Sequence, residues 1–238
     1  EASFGTETIY VNVAAHSCQN ISLTPQQLLE LANEAINNFW NTIPTSSLEL
    51  AIGGVVSVSS AFQTDSICSS ISSTGECTPN SGLSVDQGIL ISCNTDTSGQ
   101  NFSTGILGLS VPNNTNGSTI NGSVVLINDT SSTIWHNFNH ADQVSILAHE
   151  IGHAIGLGHS SVKDSLMYYN TVEKRSMLGV DDMDGITYLY PLDSPIASCG
   201  QISKYNNFSF FLMQVLFFGL LSISLGKIAY SSQIRRQN

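Results

Sequence analysis

The run His149-Glu150-Ile151-Gly152-His153-Ala154-Ile155-Gly156-Leu157-Gly158-His159 gathers three of the chain's six histidines into one short stretch. On a helix, His149 and His153 stand four apart and lie one turn above the other on a single face. Two imidazole nitrogens can then reach one tetrahedral ion. Gly156 can adopt the left-handed conformation that ends a helix and turns the chain back, which brings His159 in from outside the helix as a third ligand. Three neutral nitrogens with a fourth position open are the coordination of a catalytic zinc rather than a structural one. Glu150 follows the first ligand and projects toward the open side, placed as general base on a zinc-bound water. The plain alternative is a helix end with three surface histidines and a capping glycine. It leaves three fixed offsets to coincidence.

These side chains need a frame. Thr8 to Val13 alternates as a first strand does, and Thr24-Pro25 opens a helix with Thr24 as N-cap and Pro25 in the first turn. That helix is predicted to run to about Trp40, with Leu28, Leu31, Ala32, Ala35, Ile36 and Phe39 on one face. Residues 48–62, 88–92, 105–111 and 120–128 read as strands. Residues 64–82 and 113–121 read as polar loops, and the helix carrying the first two histidines is predicted from about Asp142 to Gly156.

Beyond the histidines, the sequence resembles the metzincin metallopeptidases, which place a methionine turn beneath the metal. Ser165-Leu166-Met167-Tyr168-Tyr169 follows His159 at the spacing of the matrixin branch, and Ser160 after the third histidine is the matrixin choice. Leu178-Gly179-Val180-Asp181-Asp182-Met183-Asp184-Gly185-Ile186 and the following Tyr188-Leu189-Tyr190 are similar to the matrixin C-terminal helix. The strong resemblance covers about residues 141–191. It implies an α+β metzincin (zincin-like) fold: a twisted mixed five-stranded sheet with an active-site helix, a Met-turn at Met167 and a C-terminal helix. It further implies that Asp181 and Asp182 tie the last helix to the Met-turn; an acidic pair favoured by a helix N-terminus is the other reading. The backbone of residues 106–108 would pair with an extended substrate, as an edge strand can.

Two departures stand out. Animal matrixins carry Pro two places after the Met-turn methionine, whereas this chain has Tyr169, the form of astacins and serralysins. Tyr169 is therefore a candidate either for the transition-state oxyanion or for the pocket wall. The matrixin structural zinc has no counterpart here, because His16, His136 and His140 do not fall at its positions. One catalytic Zn2+ is expected; Ca2+ is left open and no motif supports it.

Charge and composition narrow the partners. The chain has 238 residues and a net charge of −11. All 18 acidic residues lie before Pro195, accompanied there by only Lys163, Lys174 and Arg175. Such a domain is a poor binder of nucleic acid, so protein or peptide substrates are expected. Asn-x-Ser/Thr occurs at Asn20, Asn101, Asn113, Asn116, Asn121, Asn128 and Asn207; these become glycans only in a eukaryotic secretory setting. None of the five cysteines has zinc-knuckle spacing. Disulfides are expected instead, with Cys68–Cys77 favoured, Cys77–Cys93 competing, and Cys199 apart.

Residues 208–226 are free of charge and long enough to span a bilayer as one transmembrane helix. Lys227, Arg235 and Arg236 follow them, so the C-terminus is expected in the cytoplasm and the peptidase domain outside. The predicted organisation is a matrixin-like peptidase domain at 1–191, a linker at 192–207, the membrane helix at 208–226 and a basic tail at 227–238. No signal peptide opens the chain, so a leader is expected to have been removed; processing of the tail would leave a secreted or surface protein. The function expected is a zinc-dependent metalloendopeptidase acting on extracytoplasmic proteins. A catalytically silent zinc-binding adhesion or scaffold module is the rival.

Overall fold

The computed structural model describes residues 2–6, 8–73, 77–96, 101–102, 105–169 and 175–192. The expected linker, membrane helix and basic tail lie outside these residues, apart from Leu192. Among the described residues no helix is long and apolar enough to cross a membrane.

The centre of the fold is a mixed sheet. Strand β1 (Ser3–Phe4) is followed by β2 (Thr8–Ala14), helix α1 (Pro25–Asn38) and β3 (Glu49–Val56). A short helix α2 (Ala61–Thr64) and a small hairpin, β4 (Cys68–Ile71) with β5 (Cys77–Pro79), come next. Then follow β6 (Gly88–Asn94), β7 (Gly108–Asn116), β8 (Thr119–Asn128), α3 (His140–Ala154) and α4 (Val180–Leu189). The sheet runs β1-β8-β6-β2-β3, all parallel, with β7 antiparallel to β8. β6 is buried at every position, as a strand covered on both faces must be.

Alternation along the strands sorts side chains into two cores. Ile9, Val11, Val13, Ile89, Ile91, Val125 and Ile127 point to the face covered by α1 and α3, where they meet Leu28, Ala32, Ala35, Ile36, Trp40, Leu147 and Ile151. Their neighbours Leu90, Val124 and Leu126 point to the other face, against Phe62, Leu83 and Val85. α1 starts where its cap predicts. The Thr24 hydroxyl accepts from Gln27 N at 3.2 Å while Gln27 Oε1 accepts from Thr24 N at 2.9 Å, a capping box with Pro25 in the first turn.

Several boundaries and one strand count differ from expectation. The sheet has six strands rather than five, because Ser3–Phe4 adds a short sixth beside β8. α1 ends at Asn38, and Trp40–Thr42 form a 3₁₀ turn instead of a last helical turn. The strand expected over 48–62 stops at Val56, and its tail folds into α2. The polar stretch 64–82 contains the β4–β5 hairpin, closed by the Cys68–Cys77 disulfide. Cys93, the competing partner, is bonded to Cys18 instead.

The expected loop at 113–121 is a tight hairpin. β7 runs on to Asn116, β8 begins at Thr119, and only Gly117 and Ser118 turn the chain, Gly117 at φ 61°. A two-residue turn with positive φ matches the right-handed twist of its strands. α3 spans His140–Ala154, two residues earlier at each end than predicted. Asn139 caps it through Asp142 N at 3.1 Å.

Candidate metal centre

The second half of α3 carries His149, Glu150 and His153, and the turn after it carries His159. Helical spacing sets the imidazole rings of His149 and His153 with centroids 4.8 Å apart, edge to face. The His159 ring lies 4.6 Å from that of His153 and 5.5 Å from that of His149. One nitrogen from each ring lies within 4.8 Å of the other two, a grouping that could hold a metal ion. Among the described residues it is the only such group. His140 instead pairs with Glu34 at 2.8 Å, and His16 Nε2 faces the Ser92 hydroxyl at 2.8 Å.

The turn that delivers His159 depends on Gly156. Its φ is +106°, and a Cβ there would fall 2.1 Å from the carbonyl oxygen of Ala2. Backbone strain and lack of space both exclude a side chain.

Backbone carbonyls orient the first two rings. His149 Nδ1 donates to Leu166 O at 2.7 Å and His153 Nδ1 donates to Leu157 O at 2.8 Å. Carbonyls only accept, so the proton sits on Nδ1 and the Nε2 lone pair is left for a ligand role. Burial depresses both rings. His149 is lowered by desolvation, with the bond to Leu166 opposing, and the positive charge of Arg175 is among the lesser causes. His153 is lowered to about 4, again chiefly by burial, with His149 next. Both are neutral at pH 7, and neutral imidazoles with fixed tautomers fit a zinc ion.

Glu150 follows His149 and precedes the core residue Ile151 on α3. It is 7% exposed, and burial alone pushes its carboxyl up to about 8. Its side chain lies against Gly108 of β7, where a Cβ would come within 2.8 Å of Glu150 Cγ and 3.0 Å of Oε1. The edge strand and the carboxyl thus share one wall.

Below the histidines, residues 165–168 form a tight turn. Ser160 N donates to Met167 O at 2.7 Å, which ties the residue after His159 to the turn. Met167 is 2% exposed, with its sulfur packed over Gly152 in the metal helix. Asp182 holds this turn from α4. Its carboxylate accepts from the Ser165 hydroxyl, from Leu166 N at 2.6 Å, Met167 N at 3.0 Å and Gly179 N at 2.8 Å. Asp181 accepts from the Ser160 hydroxyl at 2.5 Å. The acidic pair at the α4 N-terminus therefore binds the turn rather than only the helix dipole. Tyr169 is 63% exposed, its ring paired with that of Tyr168 at 4.7 Å.

Sequence reasoning missed three supports. Trp40 is fully buried beneath α3 and donates its indole N–H to Ala148 O at 2.9 Å, one residue before His149. Gly108 leaves room for Glu150. Leu157 and Leu166 act through their carbonyls, which no side-chain pattern announces.

Residues 89–191 match the family model described as Matrixin. Over 51 residues the chain is 51% identical to Metalloendoproteinase 2-MMP of Arabidopsis thaliana, covering 21% of this chain and 14% of that protein. Over 46 residues it is 54% identical to a Putative matrix metalloproteinase of Trichoplusia ni ascovirus 2c, covering 19% and 9%. Over 66 residues it is 38% identical to Interstitial collagenase of Sus scrofa, covering 27% and 14%. The matched stretches thus span at most 14% of these three proteins. These similarities support a matrixin-type catalytic domain, and the mixed sheet with its helices fits the metzincin fold.

Proposed function

We propose that this chain is a zinc-dependent endopeptidase, with His149, His153 and His159 as zinc ligands and Glu150 as general base and acid. The observation that carries the reading is the paired Nδ1–H bonds to Leu166 O and Leu157 O, which turn two Nε2 lone pairs toward the position shared with His159. Zinc held there would supply Lewis-acid polarisation of a peptide carbonyl and of the attacking water.

The chain's own groups do the rest. Glu150 takes the proton that the attacking water loses and delivers it to the leaving amine nitrogen, so its carboxyl ends the cycle as it began. Burial raises this carboxyl in the metal-free protein; the positive charge of a zinc ion beside it would lower it again, so that Glu150 starts the cycle ionised as a base must. β7 pairs with β8 on one edge only among the described residues. Its other edge is free to bind an extended peptide by main-chain hydrogen bonds beside Glu150. Tyr169, exposed next to the Met-turn, is the candidate donor to the developing oxyanion. Met167 gives the rings an apolar floor, and Asp182 fixes that floor by three hydrogen bonds.

Extracytoplasmic substrates belong to the same reading. The two disulfides suit an oxidising compartment, and the uncharged stretch 208–226 with its basic flank suits a membrane tether.

The test is cleavage of a random-sequence peptide library by zinc-loaded protein and by its Glu150→Ala variant. Cleavage by the parent alone establishes the peptidase. Zinc bound by both with cleavage by neither favours the catalytically silent module. An absence of zinc in both overturns the ligand assignment.

A further inference from the structure

We propose that Asn116, at the tip of the β7–β8 hairpin, is the favoured N-linked glycan acceptor of this domain, and that the fold closes the sequons at Asn101 and Asn128. The inference rests on the extracytoplasmic part of the proposed function. It concerns a different surface from the metal centre.

The sequence offers seven Asn-x-Ser/Thr triplets, and composition alone cannot rank them. The structure can, because a glycan must be joined to the side-chain Nδ2. That replaces one of its two N–H bonds and places a bulky polar group on it. An acceptor must therefore have an amide in solvent with an N–H to give up.

Asn101 has neither. It is 6% exposed, and its Nδ2 donates twice, to Asp65 O at 3.1 Å and to Asn94 Oδ1 at 3.0 Å, while Oδ1 accepts from Ile67 N at 2.7 Å. Asn128 is 5% exposed; Nδ2 donates to Ile106 O at 2.6 Å, and Oδ1 accepts from Thr130, the hydroxyl residue of its own triplet. A glycan on Asn101 would leave one of its two acceptors unpaired, and on either of these buried residues it would open the core, so the modified chain could not reach this fold. Asn113 is half-buried and clamped between Leu83 O and Val85 N. Asn20 and Asn121 reach solvent, but each holds its amide to the fold through one N–H, to Asp129 O and to Asn114 Oδ1, with the other left over.

Asn116 differs from all of these. It is exposed, with no hydrogen bond to its side chain among the described residues, and it ends β7 where Gly117 and Ser118 turn the chain. The whole triplet is exposed. The remaining triplet, at Asn207, lies outside the described residues.

The position also agrees with the proposed use of β7. Eight residues separate Asn116 from Gly108, about 26 Å at a strand's rise. A glycan at the tip would shield that end of the unpaired edge from strand addition by another copy. The end beside Glu150 would stay open.

The test is expression of residues 1–238 behind a cleavable leader in a eukaryotic host, with the protein recovered from surface membranes or medium. Each asparagine is then mapped by mass spectrometry after enzymatic deglycosylation in heavy-oxygen water. Occupancy at Asn116, with Asn101 and Asn128 empty, is the expected result, and Asn116→Gln should lose that glycan's mass while keeping zinc binding. An empty Asn116 in the zinc-binding fraction overturns the proposal, as does a glycan on Asn101 or Asn128. The same preparation assayed on peptides reports separately on the peptidase reading, because loss of cleavage leaves the glycan map readable.

Discussion

Gly152→Ala sets two opposing effects against each other inside the metal helix. Helix propensity favours alanine by about 1 kcal/mol in a helix interior. Packing opposes it. The new Cβ would lie 2.4 Å from Met167 Sδ and 2.7 Å from Trp40 Cζ2, where carbon contacts normally sit at about 3.5–4.0 Å. Met167 could swing its thioether, but Trp40 has no such freedom. It is fully buried, and its indole is bonded to Ala148 O at 2.9 Å. Overpacking of this kind costs about 1–3 kcal/mol, so the upper part of that range wins and the net loss should be about 1–2 kcal/mol. The relief would come from moving Met167 away from the helix face between the two histidines. Zinc affinity should therefore fall together with stability. Urea unfolding of the metal-free protein gives the first quantity, and competition with a chromophoric chelator gives the second. Gly158→Ala is the internal control, since nothing lies within 4 Å of a Cβ there, and it should leave both quantities unchanged. A Gly152→Ala protein as stable as the parent, with the parent's zinc affinity, would refute the packing argument.

Asp182→Asn should lower stability by about 3 kcal/mol and weaken zinc binding, because an amide cannot accept from the three donors of the turn and from Gly179 N together; unchanged unfolding midpoints would contradict this. In metal-free protein Glu150 keeps its proton to about pH 8, whereas the unfolded chain releases it near 4.5. Stability from that group is therefore lost as pH rises through this window, by on the order of 4 kcal/mol. Glu150→Gln removes the loss, so the stability difference between variant and parent should grow from pH 5 to pH 8.5; both proteins carry the same histidines, whose contribution cancels. A flat difference would show the carboxyl to be ionised in the fold. Breaking Cys18–Cys93, which closes a 75-residue separation, should lower stability by about 4 kcal/mol, against about 2.5 for the 9-residue Cys68–Cys77. Thermal unfolding of the two serine pairs orders them.

What could be read in advance was local. The three histidines and Glu150 fall within one helix and one turn, and fixed offsets along a single helix translate directly into distances. The α1 cap is equally local, since Thr24, Pro25 and Gln27 act within one turn. What supports the site comes from far along the chain and carries no pattern of its own. Trp40 reaches Ala148 across 108 positions, and the carbonyls of Leu157 and Leu166 have no side-chain signature. Cys18 meets Cys93 because β2 and β6 are parallel neighbours, with Val13 opposite Ile91; parallel pairing joins segments whose separation no spacing rule records. The hairpin at Gly117-Ser118 had a readable turn. Its flanking Asn and Thr residues resemble a loop because β7 is half-exposed and owes its strand form to main-chain bonds with β8.

Tyr190 gives the domain a mechanical property. Its hydroxyl accepts from Phe4 N at 3.1 Å and donates to Ile155 O at 2.7 Å, and burial lifts its pKa to about 12, so it stays protonated across the working range. Chain near residue 4, chain near residue 190 and the end of the metal helix therefore meet at one oxygen. Force applied at Leu192 would load the contacts of Pro191 and the Tyr190 carbonyl with Ser46 and Ser47, and this joint with them. The bond from the Tyr190 hydroxyl to Ile155 O holds the end of the metal helix, from which the turn carrying His159 departs. A pull at Leu192 would thus reach the end of the metal helix through one side chain.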